Sequence, residues 1–543
     1  MASKAIKAHF DTMNTPVPQT QKAAKGQKKN NAGGFSFVVS DKSRLERFLI
    51  LGTDGGTYYV NEQKLTTKNV DFIVKLIKED PELVLNTVLE VSTSGRAYRN
   101  SYAIFVMSLL FKHASKEYKS QGFLHNHLPQ VARTSTHLFE FATYIEGLGG
   151  WGRAKREAVA NWYTSKTTDQ LAYQAVKYRQ RDGWTHRDLF RLSHPKGVDQ
   201  QLGHFILGNA KPAGVAPVLD GFFSIQEQSD IKGVTHVLDL HKNLPWEAVP
   251  TEFHKSPELW QKLFENGELK GQALLRQITR LAKLGMFQDM VFAREYANRL
   301  VDEEMIAKTR LHPIQYLLAL IGHVEGQVQR NAPRGGFTNA SLYRKVEWTV
   351  SPIIRDALDA GYLKAFKHIE PAGKRTLVGI DVSGSMDSLA MGIDLSNAQL
   401  AGAMAMTIAR TEPYYDIRGF SNTLQDLGIS ASMGMVEVMK QMRRMTMGST
   451  DCSLPMEHAI DKKLQVDTFV VITDNETYAG RRHPHVALQD YREKSGIDAK
   501  LIVMGTASTG FTIADPKDRG MLDVVGADAN TPKVVADFSA GRI

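Results

Sequence analysis

A single cysteine, Cys452, occurs in 543 residues. An intrachain disulfide is therefore impossible, and a reducing, cytoplasmic setting is expected. Long apolar runs are also missing. Ile104–Met107, followed closely by Leu109–Phe111, is among the longest stretches, far short of the ~20 residues a bilayer span needs. The opening MASKAIKAHFDTMN lacks the apolar core of a secretory signal. No phosphate-cradling GxxxxGK[ST] loop occurs. What is present is ordinary globular composition, 42% hydrophobic and 23% charged, in a chain too long for one core.

The charge is divided unequally. Of 67 Lys+Arg and 58 Asp+Glu, 18 and 21 lie in residues 371–543, so that segment is net −3 and residues 1–370 carry net +12. A basic region joined to a mildly acidic one is a footprint of nucleic-acid binding.

Three regions follow from the patterning. Residues 1–34, with Lys22, Lys25, Lys28 and Lys29, two prolines and little to bury, are expected to be a flexible basic leader. From 35 to 370 apolar residues recur at helical spacing, as in 99–115, 273–285 and 311–326. Successive helices broken by Gly149-Gly150 and Asp182-Gly183 suggest an α-solenoid or an irregular bundle. From 371 to 543 short β-branched runs at 376–383, 415–421, 468–474 and 499–505 alternate with helical stretches at 397–411, 435–444 and 485–494. This is the pattern of a doubly wound α/β domain.

Asp381-Val-Ser383-Gly-Ser385 follows the first of these strands, where ligands collect in open α/β sheets. Thr450 and Asp474 sit in loops the topology brings close. Two carboxylates and three hydroxyls form a hard oxygen set that suits Mg²⁺ or Mn²⁺ better than zinc. Catalysis is not expected. A haloacid-dehalogenase phosphatase would need an acid at Ser383, the serines have no obvious histidine base, and Cys452 reads as a small packed residue. The D-x-S-x-S pattern with a later Thr and Asp resembles the metal-ion-dependent adhesion site of von Willebrand A domains. That resemblance implies Ser383, Ser385 and Thr450 as direct ligands. Asp381 and Asp474 would act through water, leaving one position for an acidic partner group.

The helical region concentrates its charge in KYRQRDGWTHRDLFRLSHPK (177–196), where Lys177, Arg179, Arg181, Arg187, Arg191 and Lys196 are interleaved with Tyr178, Trp184 and Phe190. Cations and aromatics together suit phosphates and unstacked bases. Taken alone, His186, Trp162, Trp184 and Phe190 each read more readily as core residues. The segment resembles the signature of the TROVE domain of the Ro autoantigen family. LGTDGGTYYVNEQKL (51–65), RTSTHLFEF (133–141), GWGRAKREAVANWY (150–163), RLHPI (310–314), GSTDCSLPM (448–456) and ITDNETYAG (472–480) extend the resemblance in order across both domains. Residues 197–245 match it poorly.

The resemblance implies a multidomain α and α/β protein: a HEAT-like helical ring over 35–370 and a von Willebrand A domain over 371–543. It implies a monomer that binds small structured Y-like RNAs on a basic outer face and 3′ ends of misfolded RNAs, in RNA quality control and stress survival, with an exoribonuclease as a partner of bacterial members. By position, Lys177, Arg179, Arg181, His186, Arg187 and Arg191 fall on the RNA face, with Lys166 and Arg133 beside them. Two other readings compete: a metal-dependent protein-adhesion module with a structural helical half, and a metal-dependent nuclease. Hydroxyls outnumber carboxylates in the cluster, which disfavours the nuclease.

Overall fold

The computed structural model describes residues 16–54, 56–209, 211–325, 347–366, 368–445 and 448–543. The chain divides into two compact units: residues through Asn69 together with Phe366–Ile543, and Val70–Ala365.

The first unit is built on a mixed sheet. Its strands are β1 (Thr376–Asp381), β2 (Tyr415–Phe420), β3 (Leu424–Asp426), β4 (Thr468–Thr473), β5 (Lys500–Gly505) and β6 (Met521–Val525), in the order 6-5-4-1-2-3. All pair in parallel except β3, which runs antiparallel to β2. β1 (TLVGID) and β4 (TFVVIT) are buried at every position, as strands covered on both faces must be. Gly379 permits the closest packing on β1, because a Cβ there would lie 2.6 Å from Pro455. The helix Asn397–Thr411 opens with a Ser396–Gln399 capping box and is buried along most of its length. The strand order reverses at β1, whose neighbours are β2 and β4. The loops leaving β1 and β4 therefore border a crevice.

The N-terminal region corrects the sequence expectation. Residues 1–15 lie outside the described residues, but from residue 16 the presumed flexible leader is built into the α/β unit. Phe35–Val38 pairs with Lys28–Lys29 and with Phe511–Thr512. Next, the helix Asp41–Leu51 buries Arg47 against Asp523. Gln19, Gln27 and Asn30 are 0%, 3% and 6% exposed. The segment docks through amide hydrogen bonds, and hydropathy does not register these. The domain start expected at residue 35 thus gives way to a division after Asn69.

The second unit is helical. Helices pack on near neighbours along the chain: Pro81–Ser94 on Ser101–His113, Phe123–Val131 on Arg153–Thr164, Thr168–Lys177 on Pro217–Gln226, and Gln272–Lys283 on Pro313–Val324. Pro313 occupies the first helical turn, as its missing N–H favours. The row also closes on itself. One ring nitrogen of His312 hydrogen-bonds Arg96 O at 3.0 Å, and the Tyr98 and His312 rings meet edge-on at 6.1 Å. Asp182-Gly183, expected as a break between helices, is the turn of a two-residue-strand hairpin with both φ values positive.

Candidate metal centre and nucleic-acid surface

The carboxylate and hydroxyl cluster assembles at the crevice between β1 and β4. Asp381, the last residue of β1, accepts from Ser383 N at 2.9 Å through Oδ1 and from Thr473 Oγ1 at 2.6 Å through Oδ2. Ser383 Oγ and Ser385 Oγ lie 3.1 Å apart. Gly384 N donates to Gly448 O at 3.1 Å, tying this loop to the one that carries Thr450. Asp474 follows β4 and accepts from Glu476 N at 3.1 Å. Asp381, Ser383, Ser385, Thr450 and Asp474 are all at most 3% exposed. The fold therefore brings together all five residues singled out in the sequence.

Two observations test whether this set fits a cation. Burial raises the pKa of both Asp381 and Asp474, and at Asp381 the charge of Asp474 adds to the effect. Two desolvated carboxylates this close are unfavourable without a compensating positive charge. The buried Thr450 Oγ1 has no hydrogen-bond partner among the described residues, and an oxygen in that position normally has one. A single hard divalent ion would answer both. Among the described residues no group of three or more His, Cys, Asp or Glu is arranged for a metal, so an ion here must draw on the hydroxyls.

Sequence reasoning missed the residues that brace this centre. Glu476 accepts from Asn31 N at 2.8 Å, Asn31 Nδ2 at 2.6 Å and Ala32 N at 3.1 Å. Burial and Asp474 nevertheless push its carboxyl up to about 7. Gln19 Nε2 donates to Asp451 Oδ1 at 2.8 Å, and Thr477 Oγ1 donates to Gln19 Oε1 at 2.5 Å. The residues after Asp474 are thus clasped by the N-terminal segment. Gly34 passes so close that a Cβ would meet Thr477 O at 2.0 Å. An acid two residues beyond Asp474 was the only visible signal; nothing in the sequence pointed to its amide partners. Cys452 is fully buried in the core with Met456, Phe469 and Leu501, and burial pushes its thiol well above the usual range. It is a packing residue.

The basic segment sorts by exposure. Arg179, Arg181, Arg187 and Arg191 are exposed. Arg187 and Arg191 stand one helical turn apart on the helix His186–Ser193. Neither has an acidic partner among the described residues, whereas Arg181 lies 3.4 Å from Glu140. Lys177 is half-buried, donating to Tyr173 OH at 3.3 Å and lying 3.9 Å from Glu247. Lys166 sits 3.5 Å above the Trp162 ring, and burial lowers its pKa to about 8. Arg133 donates to Ser92 O at 2.9 Å and Ser92 Oγ at 2.8 Å, and burial lowers it to about 10. His186 corrects the expectation. It is a core residue, with Nδ1 3.0 Å from Tyr163 OH and its ring against Phe139 and Trp162. At 4% exposure no surface role is left to it, and burial holds its pKa at about 4.

Residues 375–539 match the Ro60 vWA domain, and residues 28–211 and 228–351 match the TROVE domain. The chain is 37% identical over 536 residues to the RNA-binding protein RO60 of Deinococcus radiodurans, covering 97% of this chain and 98% of that protein. A Caenorhabditis elegans protein of the same name is 32% identical over 605 residues, covering 97% and 92%. The crystal structure of the Deinococcus radiodurans RO (RSR) protein superposes with a TM-score of 0.65 at 36% identity, covering 93% of this chain and all of that one.

Proposed function

The chain belongs to the Ro60 family, and on that premise we propose that it is a cytoplasmic RNA-binding protein that grips structured RNA through its helical unit. The relatives carrying the name RNA-binding protein support the partner class. The observation that carries the reading to this chain is the pair Arg187 and Arg191. They are exposed on one helical face without acidic partners among the described residues, and Arg179 and Arg181 are exposed on the adjoining segment. Planar guanidinium groups free of carboxylates suit phosphates.

The finer reading takes small Y-like RNAs and the single-stranded 3′ ends of misfolded RNAs as the ligands, in RNA quality control, with binding and not catalysis as the contribution. The second proposal concerns the α/β unit. Ser383, Ser385 and Thr450 would hold Mg²⁺, or Mn²⁺ in its place, with Asp381 and Asp474 balancing its charge. When bound, the ion would supply a Lewis-acidic position for an acidic partner group. Ser383 stands where a second catalytic acid would be needed, which supports a binding role over hydrolysis.

Charge reversal tests the RNA reading. Arg187→Glu/Arg191→Glu is expected to weaken binding to a hairpin RNA by more than about 10-fold, because two phosphate contacts become repulsive. Unchanged affinity would refute the assigned surface. Crosslinking in cells with sequencing of the bound RNA would identify the ligands.

A further inference from the structure

The helix His186–Ser193 contacts the helix Gln200–Ile206, which carries one of a group of rings the basic segment alone does not explain. The helix Pro217–Gln226 turns Val218, Leu219, Gly221 and Ile225 inward. Successive residues on a helix are about 100° apart, so Phe222 and Phe223 stand at the margin of that buried face, and both are half-buried. With Phe205 of the neighbouring helix Gln200–Ile206 they form a trio, their centroids 5.7 Å (Phe205–Phe223), 6.4 Å (Phe205–Phe222) and 5.5 Å (Phe222–Phe223) apart.

Two exposed cations cap the trio. The Arg179 guanidinium lies 4.9 Å over the Phe222 ring and also donates to Glu247 O at 3.3 Å. Lys211 Nζ lies 5.8 Å over Phe223. Neither cation has a carboxylate partner among the described residues. The TROVE match breaks between 211 and 228, so Phe222 and Phe223 lie in a segment that departs from the family pattern. Phe205, by contrast, falls within the matched stretch.

We infer that Phe205, Phe222 and Phe223, with Arg179 and Lys211, form a subsite for unpaired nucleotides of RNA. The inference rests on the RNA-binding reading above and extends its surface. A guanidinium plane backed by an aromatic ring is a platform on which a base stacks. The two cations serve the phosphates on either side, in a unit whose residues belong to the strongly basic part of the chain. An apolar partner would leave both cations desolvated without counter-charge, whereas a single strand brings planar bases and anions together. A double helix offers no free base faces, so the subsite selects single-stranded segments adjoining a stem.

The test uses the full-length protein and two probes, a hairpin RNA with a single-stranded uridine tail and the same hairpin with a blunt end. Phe222→Leu/Phe223→Leu keeps the apolar volume and removes the ring faces. It is expected to lower affinity for the tailed hairpin about 10-fold, since stacking gives a discrimination of that order per base. Blunt-hairpin affinity and the thermal midpoint should stay unchanged. Unchanged affinity for the tailed RNA, or equal loss on both probes, would overturn the subsite. Arg187→Ala/Arg191→Ala is run alongside. A loss there with none in the leucine variant refutes the subsite and leaves the parent reading standing, whereas absence of binding by the unaltered protein removes both. A tail carrying 5-bromouridine should crosslink, in the unaltered protein, to the peptide containing Phe222 and Phe223. Crosslinks confined to other peptides would also overturn the proposal.

Discussion

Arg47 and Asp523 form an ion pair at 2.5 Å, with the Arg47 side chain fully buried. Arg47 Nη1 also donates to Thr509 O at 3.0 Å and Phe511 O at 2.7 Å. The pair joins the helix Asp41–Leu51 to β6, residues almost 480 positions apart in sequence. Through it, part of the segment matched by the TROVE domain becomes structure of the α/β unit.

Breaking one side of such a pair strands a buried charge. Arg47→Ala is expected to destabilise the α/β unit by about 3–5 kcal/mol, whereas Arg47→Met/Asp523→Leu, which removes both charges, should cost far less. Denaturant unfolding of the three proteins measures this. Equal losses in the single and double variants would mean that packing, not charge burial, dominates.

His186 predicts an acid sensitivity. Burial holds its folded pKa near 4, below the ordinary 6.5, so between these values the unfolded chain binds a proton that the folded one refuses. Its contribution to stability is complete above pH 6.5 and is lost as pH falls toward 4, about 3 kcal/mol at 1.36 kcal/mol per unit. His186→Gln should flatten the curve of unfolding free energy against pH in this window. His137 and His485, which burial lowers to about 3 and 4, titrate in both proteins and cancel in the difference. Parallel curves would contradict the assignment.

The metal reading predicts a linkage confined to one unit. Mg²⁺ at 100 times its dissociation constant should stabilise the α/β unit by about 2.7 kcal/mol. Ser383→Ala/Ser385→Ala, lacking two of the hydroxyls, should show almost no such rise in unfolding temperature. Its RNA affinity should stay within about 2-fold, because the arginines belong to the other compact unit. An undiminished Mg²⁺ shift would refute the ligand set.

The α/β fold was legible because its central strands are continuous β-branched runs, and the oxygen cluster because Asp381, Ser383, Ser385 and Asp474 follow strand ends, with Thr450 in a loop between two helices. β6 was not legible: MLDVV carries Asp523 at its centre, an acid that Arg47 and the Thr512 side chain accommodate there. The N-terminal clasp escaped for the same kind of reason, since Gln19, Asn30 and Asn31 dock by hydrogen bonds in a stretch that looks too polar to pack. In the basic segment sequence spacing showed the charge but not its environment. It could not separate exposed Arg187 and Arg191 from Lys177, engaged with Tyr173 and Glu247, whereas His186, inside the core, was placed on the RNA face by the resemblance and not by the reading of the residue alone.

The central claim is that exposed arginines on the helical unit bind RNA phosphates, and salt dependence tests it most directly. Affinity of the full-length protein for a hairpin RNA with a single-stranded tail should be measured across monovalent salt concentrations. Four phosphate contacts, from Arg179, Arg181, Arg187 and Arg191, give an expected log–log slope of about −3. Arg187→Ala/Arg191→Ala should reduce that slope by roughly half. A slope near zero, or one unchanged in the double variant, would contradict the account.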